Sequence, residues 1–196
     1  MTAKRLRLTT IVAIAALAAL TLLTTTQSWW TIHLQAASLT VQGSVAAPAL
    51  AALSLSGLAL AGALAIAGPV FRVILGVLQI ALGGLVVLTS SISVGDPVAG
   101  SESVISHATG VAGVASIRHL VQSVSQAPWG VTAIILGGLS VAVGLVLLAT
   151  FRRWPSASRR YQAVRLAPEA GPRDAVIDWD ALSEGDDPTA EREPID

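Results

Sequence analysis

"VFRVILGVLQIALGGLVVLTSSI", residues 70–92, carries one charge, Arg72, at its entrance and none beyond it. A helix of this length reaches about 34 Å at about 1.5 Å per residue, enough to cross a hydrocarbon layer about 30 Å thick. Gly68 and Pro69 stand just before it and stop a second apolar stretch, "AAPALAALSLSGLALAGALAIA", residues 46–67. So short a turn leaves the two helices only one arrangement, an antiparallel hairpin.

Two further stretches have the same character. Residues 8–27, "LTTIVAIAALAALTLLTTTQ", follow Lys4, Arg5 and Arg7 and end at Trp29 and Trp30. Residues 129–151, "WGVTAIILGGLSVAVGLVLLATF", are closed by Arg152, Arg153 and Trp154. The competing reading of the first stretch is a signal peptide, but its apolar run is too long and "LQAAS" places Gln35 where a cleavage site needs a small residue. The expected fold class is an all-α membrane protein with four transmembrane helices. The expected division is a four-helix membrane domain over residues 1–154 and a cytoplasmic, largely disordered tail over residues 155–196.

Composition agrees. Of 196 residues, 53% are hydrophobic and 12% charged, and the mean hydropathy is +0.70. Soluble domains carry about 25% charged residues, so lipid is the natural neighbour of the uncovered apolar surface. No Asp, Glu, Lys or Arg occurs between Leu8 and Phe71, whereas ten of the twelve acids lie beyond Pro168. The absence of cysteine excludes disulfides, thiolate metal sites and cysteine nucleophiles. Eleven Arg against one Lys, with abundant Ala, suggest a high-GC genome such as an actinobacterial one.

Orientation follows from basic residues near the span ends. With the N-terminus inside, the inner faces hold Lys4, Arg5, Arg7, Arg72, Arg152, Arg153, Arg159, Arg160 and Arg165, and the outer loops hold only Arg118. Both termini are therefore expected in the cytoplasm, in the cell membrane. Trp29, Trp30 and Trp129 are expected at the outer interface and Trp154 at the inner one.

Of the outer segments, residues 28–45 carry only His33 as an ionisable group. Residues 93–128 begin with the turn-rich "SVGDPVAGSES" and continue as "GVAGVASIRHLVQSVSQ". Val114, Ile117, Val121 and Val124 have helical spacing, with Arg118, Gln122 and Ser123 turned away, so a short amphipathic helix lying on the outer leaflet or capping the bundle is expected. The alternative is a loop without regular structure.

Polar chemistry inside the spans is sparse. Gln79 is the one strongly polar side chain near mid-membrane, on a face with Gly76, Gly83 and Ser90. An amide in lipid costs several kcal/mol unless bonded, so this face should point into the bundle. Small-residue stripes that would let backbones approach are Ala133, Gly137, Ser140 and Gly144 in the fourth span, and Gly57, Ala61 and Ala65 in the second. The candidate intramembrane polar site is Gln79 with Ser54 and Ser56. Its structural reading is a hydrogen bond from Gln79 to Ser54, Ser56 or a backbone carbonyl that fixes helix packing; its functional reading is contact with a substrate in a small polar cavity. Gly83-Gly84 and Gly137-Gly138 are possible weak points where helices could break and bind a ligand through backbone groups.

Apart from Arg72, the spans hold no ionisable side chain, which argues against a proton pump or a charged-ion pathway. His33, His107 and His119 have no metal-ligand spacing, and Asp96 and Glu102 are the only outer carboxylates, with nothing to fix their separation. There is no G-x-S-x-G, no Walker loop and no dinucleotide fingerprint. No enzyme activity, no cofactor, no metal and no nucleic-acid partner is expected.

The tail ends in "DAVIDWDALSEGDDPT", residues 174–189, with Trp179 among six carboxylates. A calcium loop fails because Leu182 and Ser183 occupy positions that need a ligand and a glycine. Val176, Trp179 and Leu182 share a helical spacing between a capping Asp174 and a terminating Gly185 and Pro188. A helix this short is unstable alone in water but can order by laying its apolar face into a partner's groove. Val176, Trp179, Asp180, Leu182 and Asp187 are the candidate docking residues. The alternatives are a solvated acidic tail, or back-folding onto the basic stretch 152–165.

The Trp pair in "SWW", "RVILGVLQIALGG", "APWG", "SRRYQ" and the ending "DWDALSEGDDPT" together resemble the actinobacterial tryptophan-biosynthesis-associated membrane protein family. The most specific part is W-D-A-L-x-x-G-x-D-P-T, met at Trp179, Asp180, Ala181, Leu182, Gly185, Asp187, Pro188 and Thr189. The family's basic post-membrane segment is met loosely, at Arg160 and Tyr161. The resemblance implies four spans and an association with tryptophan synthesis, and it supplies no reaction and no catalytic residues. The expected function is a membrane anchor or scaffold that docks a cytoplasmic partner of the tryptophan pathway, or a further copy of the chain, through its tail. The alternative is a small transporter or transport accessory for tryptophan or a related aromatic metabolite.

Overall fold

The computed structural model describes residues 3–35 and 37–153. Its elements are α1 (Ala3–Thr26), β1 (Ser28–Leu34), β2 (Ser38–Gln42), α2 (Gly43–Ala46), α3 (Ala49–Ile66), α4 (Pro69–Gly95), α5 (Glu102–Thr109), α6 (Val114–Leu120), β3 (Val121–Gln126) and α7 (Trp129–Thr150). Helices α1, α3, α4 and α7 are long and apolar enough to cross a membrane. They correspond within a few residues to the four stretches expected from sequence.

In hydrocarbon every backbone group must be bonded within its own segment, which makes these stretches helical. Pro69 opens α4 at its first turn, where the lost N–H has no intrahelical partner in any case. The α1 threonines donate back to their own helix, as in Thr10 to the Leu6 carbonyl at 2.9 Å and Thr21 to the Leu17 carbonyl at 2.8 Å. Those hydroxyls therefore cost little in lipid.

The largest helix interface joins α4 to α7, packed antiparallel. It is made by glycines. A Cβ on Gly83 would lie 2.8 Å from the Val141 backbone nitrogen, and one on Gly137 would lie 2.9 Å from the Val87 backbone nitrogen. Gly76 is closed over by the Leu148 side chain, and Gly144 by the side chain and backbone nitrogen of Ile80. The expected small-residue faces of α4 and α7 are buried throughout. In α3, Gly57 and Ala61 are buried but Ala65 is exposed. Helices α4 and α7 run unbroken through Gly83-Gly84 and Gly137-Gly138; in each pair the first glycine packs against the opposite helix and the second is exposed, with nothing within 4 Å of where a Cβ would lie.

Where α3 ends, its last carbonyls have no partner within the helix. Arg7 donates to the Ala65 carbonyl, and Arg72 Nε donates to the Ala67 carbonyl at 3.2 Å. Arg72 is 3% exposed.

At the other end of the bundle the chain builds a folded cap that departs from the expected loop and helix. Strands β1 and β2 form a hairpin that α2 follows, and β3 joins it in an antiparallel sheet of order β2-β1-β3. The expected amphipathic helix is half helix and half strand, since α6 stops at Leu120 and β3 carries Val121 and Val124. Gln122 has no opposite number in the pairing, because Val121 pairs with Leu34 and Ser123 with His33. Such a bulge switches the side-chain alternation, so Val121 and Val124 both turn inward, three positions apart.

A second bulge lies at Trp29, between the Ser28 and Trp30 pairings. Consecutive strand residues normally face opposite sides; the extra residue lets Trp29 and Trp30 both enter the cap core, at 0% and 2% exposure. They meet edge to face, 5.9 Å between centroids. They are therefore core residues rather than interfacial anchors. Trp29 Nε1 donates to the Thr24 carbonyl at 2.8 Å and Trp30 Nε1 to Ser101 Oγ at 2.7 Å. Around them pack Ile32, Val41, Leu50, Ile105 and Ile117. Trp129 is half-buried against the same core.

Candidate functional site

Gln79 sits where all four spans meet. Its side chain is 3% exposed, and it lines a small cavity with Thr21 of α1, Ser54 of α3 and Ser140 of α7. Leu53, Leu82 and Val86 supply apolar walls. The face of α4 that carries Gln79 points inward because Gly76 and Gly83, a turn away on either side, are the residues that let α7 close.

The cavity has a volume of about 20 Å³. Neither Gln79 Oε1 nor Ser54 Oγ has a hydrogen-bond partner among the described residues. The expected interhelical bond from Gln79 to Ser54 or Ser56 is thus not formed. Ser56 leaves the site altogether: it is exposed on the outer face of α3, and its hydroxyl donates to the Ala52 carbonyl of its own helix at 2.8 Å. Two positions along a helix is a rotation of about 200°, so Ser54 and Ser56 cannot share a face. In place of Ser56, the structure adds Thr21 and Ser140 to Gln79 and Ser54.

The cap holds the remaining polar groups of interest. His33 bridges the three strands, with Nδ1 3.0 Å from Ser38 Oγ of β2 and Nε2 3.2 Å from Ser125 Oγ of β3. Asp96 accepts from the Ala99 N–H at 3.2 Å through one oxygen and pairs with Arg118 through the other. Its carboxylate is thus engaged in the cap's structure. Among the described residues no three His, Asp or Glu side chains come together.

Two wider hollows lie at the surface. One, about 350 Å³, is open at the cap between Leu34, Ala37, Ala108, Val111 and Leu120. The other, also about 350 Å³, is a shallow apolar groove at the far end of the bundle, between Pro69, Val70, Val73, Ile74 and Phe151. Arg152 stacks over the Phe151 ring at 5.8 Å. Neither hollow contains an unpartnered buried polar side chain among the described residues. The docking candidates Val176, Trp179, Asp180, Leu182 and Asp187, and the expected inner anchor Trp154, lie outside the described residues.

Four lipid-length helices under a folded cap define a multi-pass membrane protein. The chain belongs to the tryptophan-associated transmembrane protein family, which it matches over residues 11–189. That match takes in nearly the whole of the four spans and ends at Thr189, the last residue of the Trp179 motif. No curated protein and no solved structure matches the chain.

Proposed function

We propose that the protein is a non-enzymatic membrane anchor in tryptophan biosynthesis. Both termini lie in the cytoplasm, and the tail docks a cytoplasmic enzyme of that pathway through Val176, Trp179 and Leu182, flanked by Asp180 and Asp187. The observation that carries this reading is the closed bundle. Its interior cavity of about 20 Å³ is far below the roughly 300 Å³ or more that small-molecule sites occupy. The polar recognition material of the chain is instead concentrated in the tail, which lies largely within the family match. A buried Trp is a frequent interface anchor, and acidic neighbours add register and steering. The test is co-purification: Trp179→Ala releases the pathway enzyme while the protein stays in the membrane. Unchanged capture after deletion of residues 174–196 would sink the reading.

One observation favours a second reading, a transporter or transport accessory for an aromatic metabolite. Gln79 and Ser54 present polar atoms without partners among the described residues at the four-helix junction, as a ligand contact would require. Transport needs a bundle opened far beyond its present cavity.

A further inference from the structure

We infer that the cavity at the four-helix junction is a binding site for a single water molecule, held by Gln79, Ser54 and Thr21. Three observations converge. The cavity measures about 20 Å³, and a water needs roughly 10–15 Å³ of such space and two to four polar partners. Gln79 Oε1 and Ser54 Oγ are both buried and both unpartnered among the described residues. Both residues line this same cavity.

The hydrogen bonds balance. Gln79 Oε1 can only accept, so the water donates to it. Ser54 Oγ has its proton free and donates to the water. Thr21 spends its proton on the Leu17 carbonyl, which leaves its oxygen free to accept the water's second hydrogen. That gives three bonds, the usual number for a buried water. Ser140 stands at the same cavity as a further hydroxyl.

A dry cavity would leave an amide oxygen unbonded in hydrocarbon, where no solvent competes to rescue it. A direct Gln79–Ser54 bond is not formed, and an organic ligand does not fit a space of one water. The bound water makes the polar junction a bridge between α1, α3 and α4, placed beside the seam where α4 and α7 are already locked through glycine. This goes beyond the anchor reading and does not depend on it.

The test uses the full chain in lipid bilayers and magnetisation transfer from water to side chains by solid-state NMR. The Gln79 side-chain amide should receive transfer several-fold stronger than the methyls of Leu147, a fully buried residue outside the cavity. A soluble paramagnetic agent should quench the exposed Gln122 signal and spare Gln79. Ser54→Ala removes the donor and should weaken transfer at Gln79 several-fold with the helices intact. A Gln79 amide as dry as Leu147 overturns the proposal. So does transfer unaltered by Ser54→Ala. Quenching at Gln79 also overturns it, since it would reveal an open aqueous path instead of an enclosed molecule.

Discussion

A Cβ placed on Gly83 would lie 2.9 Å from the carbonyl oxygen of Gly137. The two helices therefore touch through their backbones, and the contact has no flexible atom that could yield. Gly83→Ala should destabilise the bundle by about 1–3 kcal/mol, the usual cost of overpacking. Gly84→Ala, one residue on, meets nothing within 4 Å and should be neutral or slightly stabilising, since Ala is the better helix former. Thermal unfolding of the two variants in the same detergent compares them directly.

Trp30 and Ser101 make the corresponding bond in the cap. The Ser101 hydroxyl accepts from Trp30 Nε1 and donates to the Pro97 carbonyl. Ser101→Ala leaves a buried indole N–H without its acceptor and should cost about 1–3 kcal/mol. Trp30→Ala should cost about 3–5 kcal/mol, because a large ring leaves the cap core. Chemical denaturation followed by near-UV circular dichroism measures both.

The two arginine contacts at opposite ends of the bundle should behave differently. Arg72 is buried and serves the Ala67 carbonyl at the end of α3. Arg72→Leu should cost about 1–3 kcal/mol by stranding that carbonyl. Arg118 and Asp96 are 53% and 41% exposed, and an ion pair in that setting is worth about 0–1 kcal/mol. Arg118→Ala should therefore leave stability within about 1 kcal/mol of the parent in the same denaturation assay, and added salt should erase the difference.

Gln79→Leu separates the anchor from the transporter. With the bundle closed around a cavity of about 20 Å³, tryptophan accumulation in proteoliposomes should be the same for parent and variant. A change in flux with the variant correctly inserted would favour the transport reading.

The four spans are legible in the sequence because charge exclusion over some twenty residues has one common physical cause, and it leaves length as the only variable. The inward position of Gln79 is legible for a similar reason: Gly76, Gly83 and Ser90 lie on its face, and a polar amide has to turn from lipid. Ser56 departs from its expected place because rotation about the helix axis sets Ser54 inward and Ser56 outward. Thr21 carries no sequence signal as a cavity residue, since its hydroxyl is satisfied within α1. The cap sheet is hidden by its two bulges. "SLTVQ", residues 38–42, alternates as a strand should, but Trp29 next to Trp30 breaks the alternation in β1. In β3 the bulge at Gln122 gives Val121 and Val124 a spacing that imitates a helix.

The most direct measurement of the anchor reading is photo-cross-linking in living cells, with a photoreactive amino acid in place of Ser183, beside the Trp179 motif. We expect one dominant adduct, to a cytoplasmic enzyme of tryptophan biosynthesis, lost when Trp179→Ala is added. Adducts only to lipid, or an adduct pattern indifferent to Trp179→Ala, would contradict it.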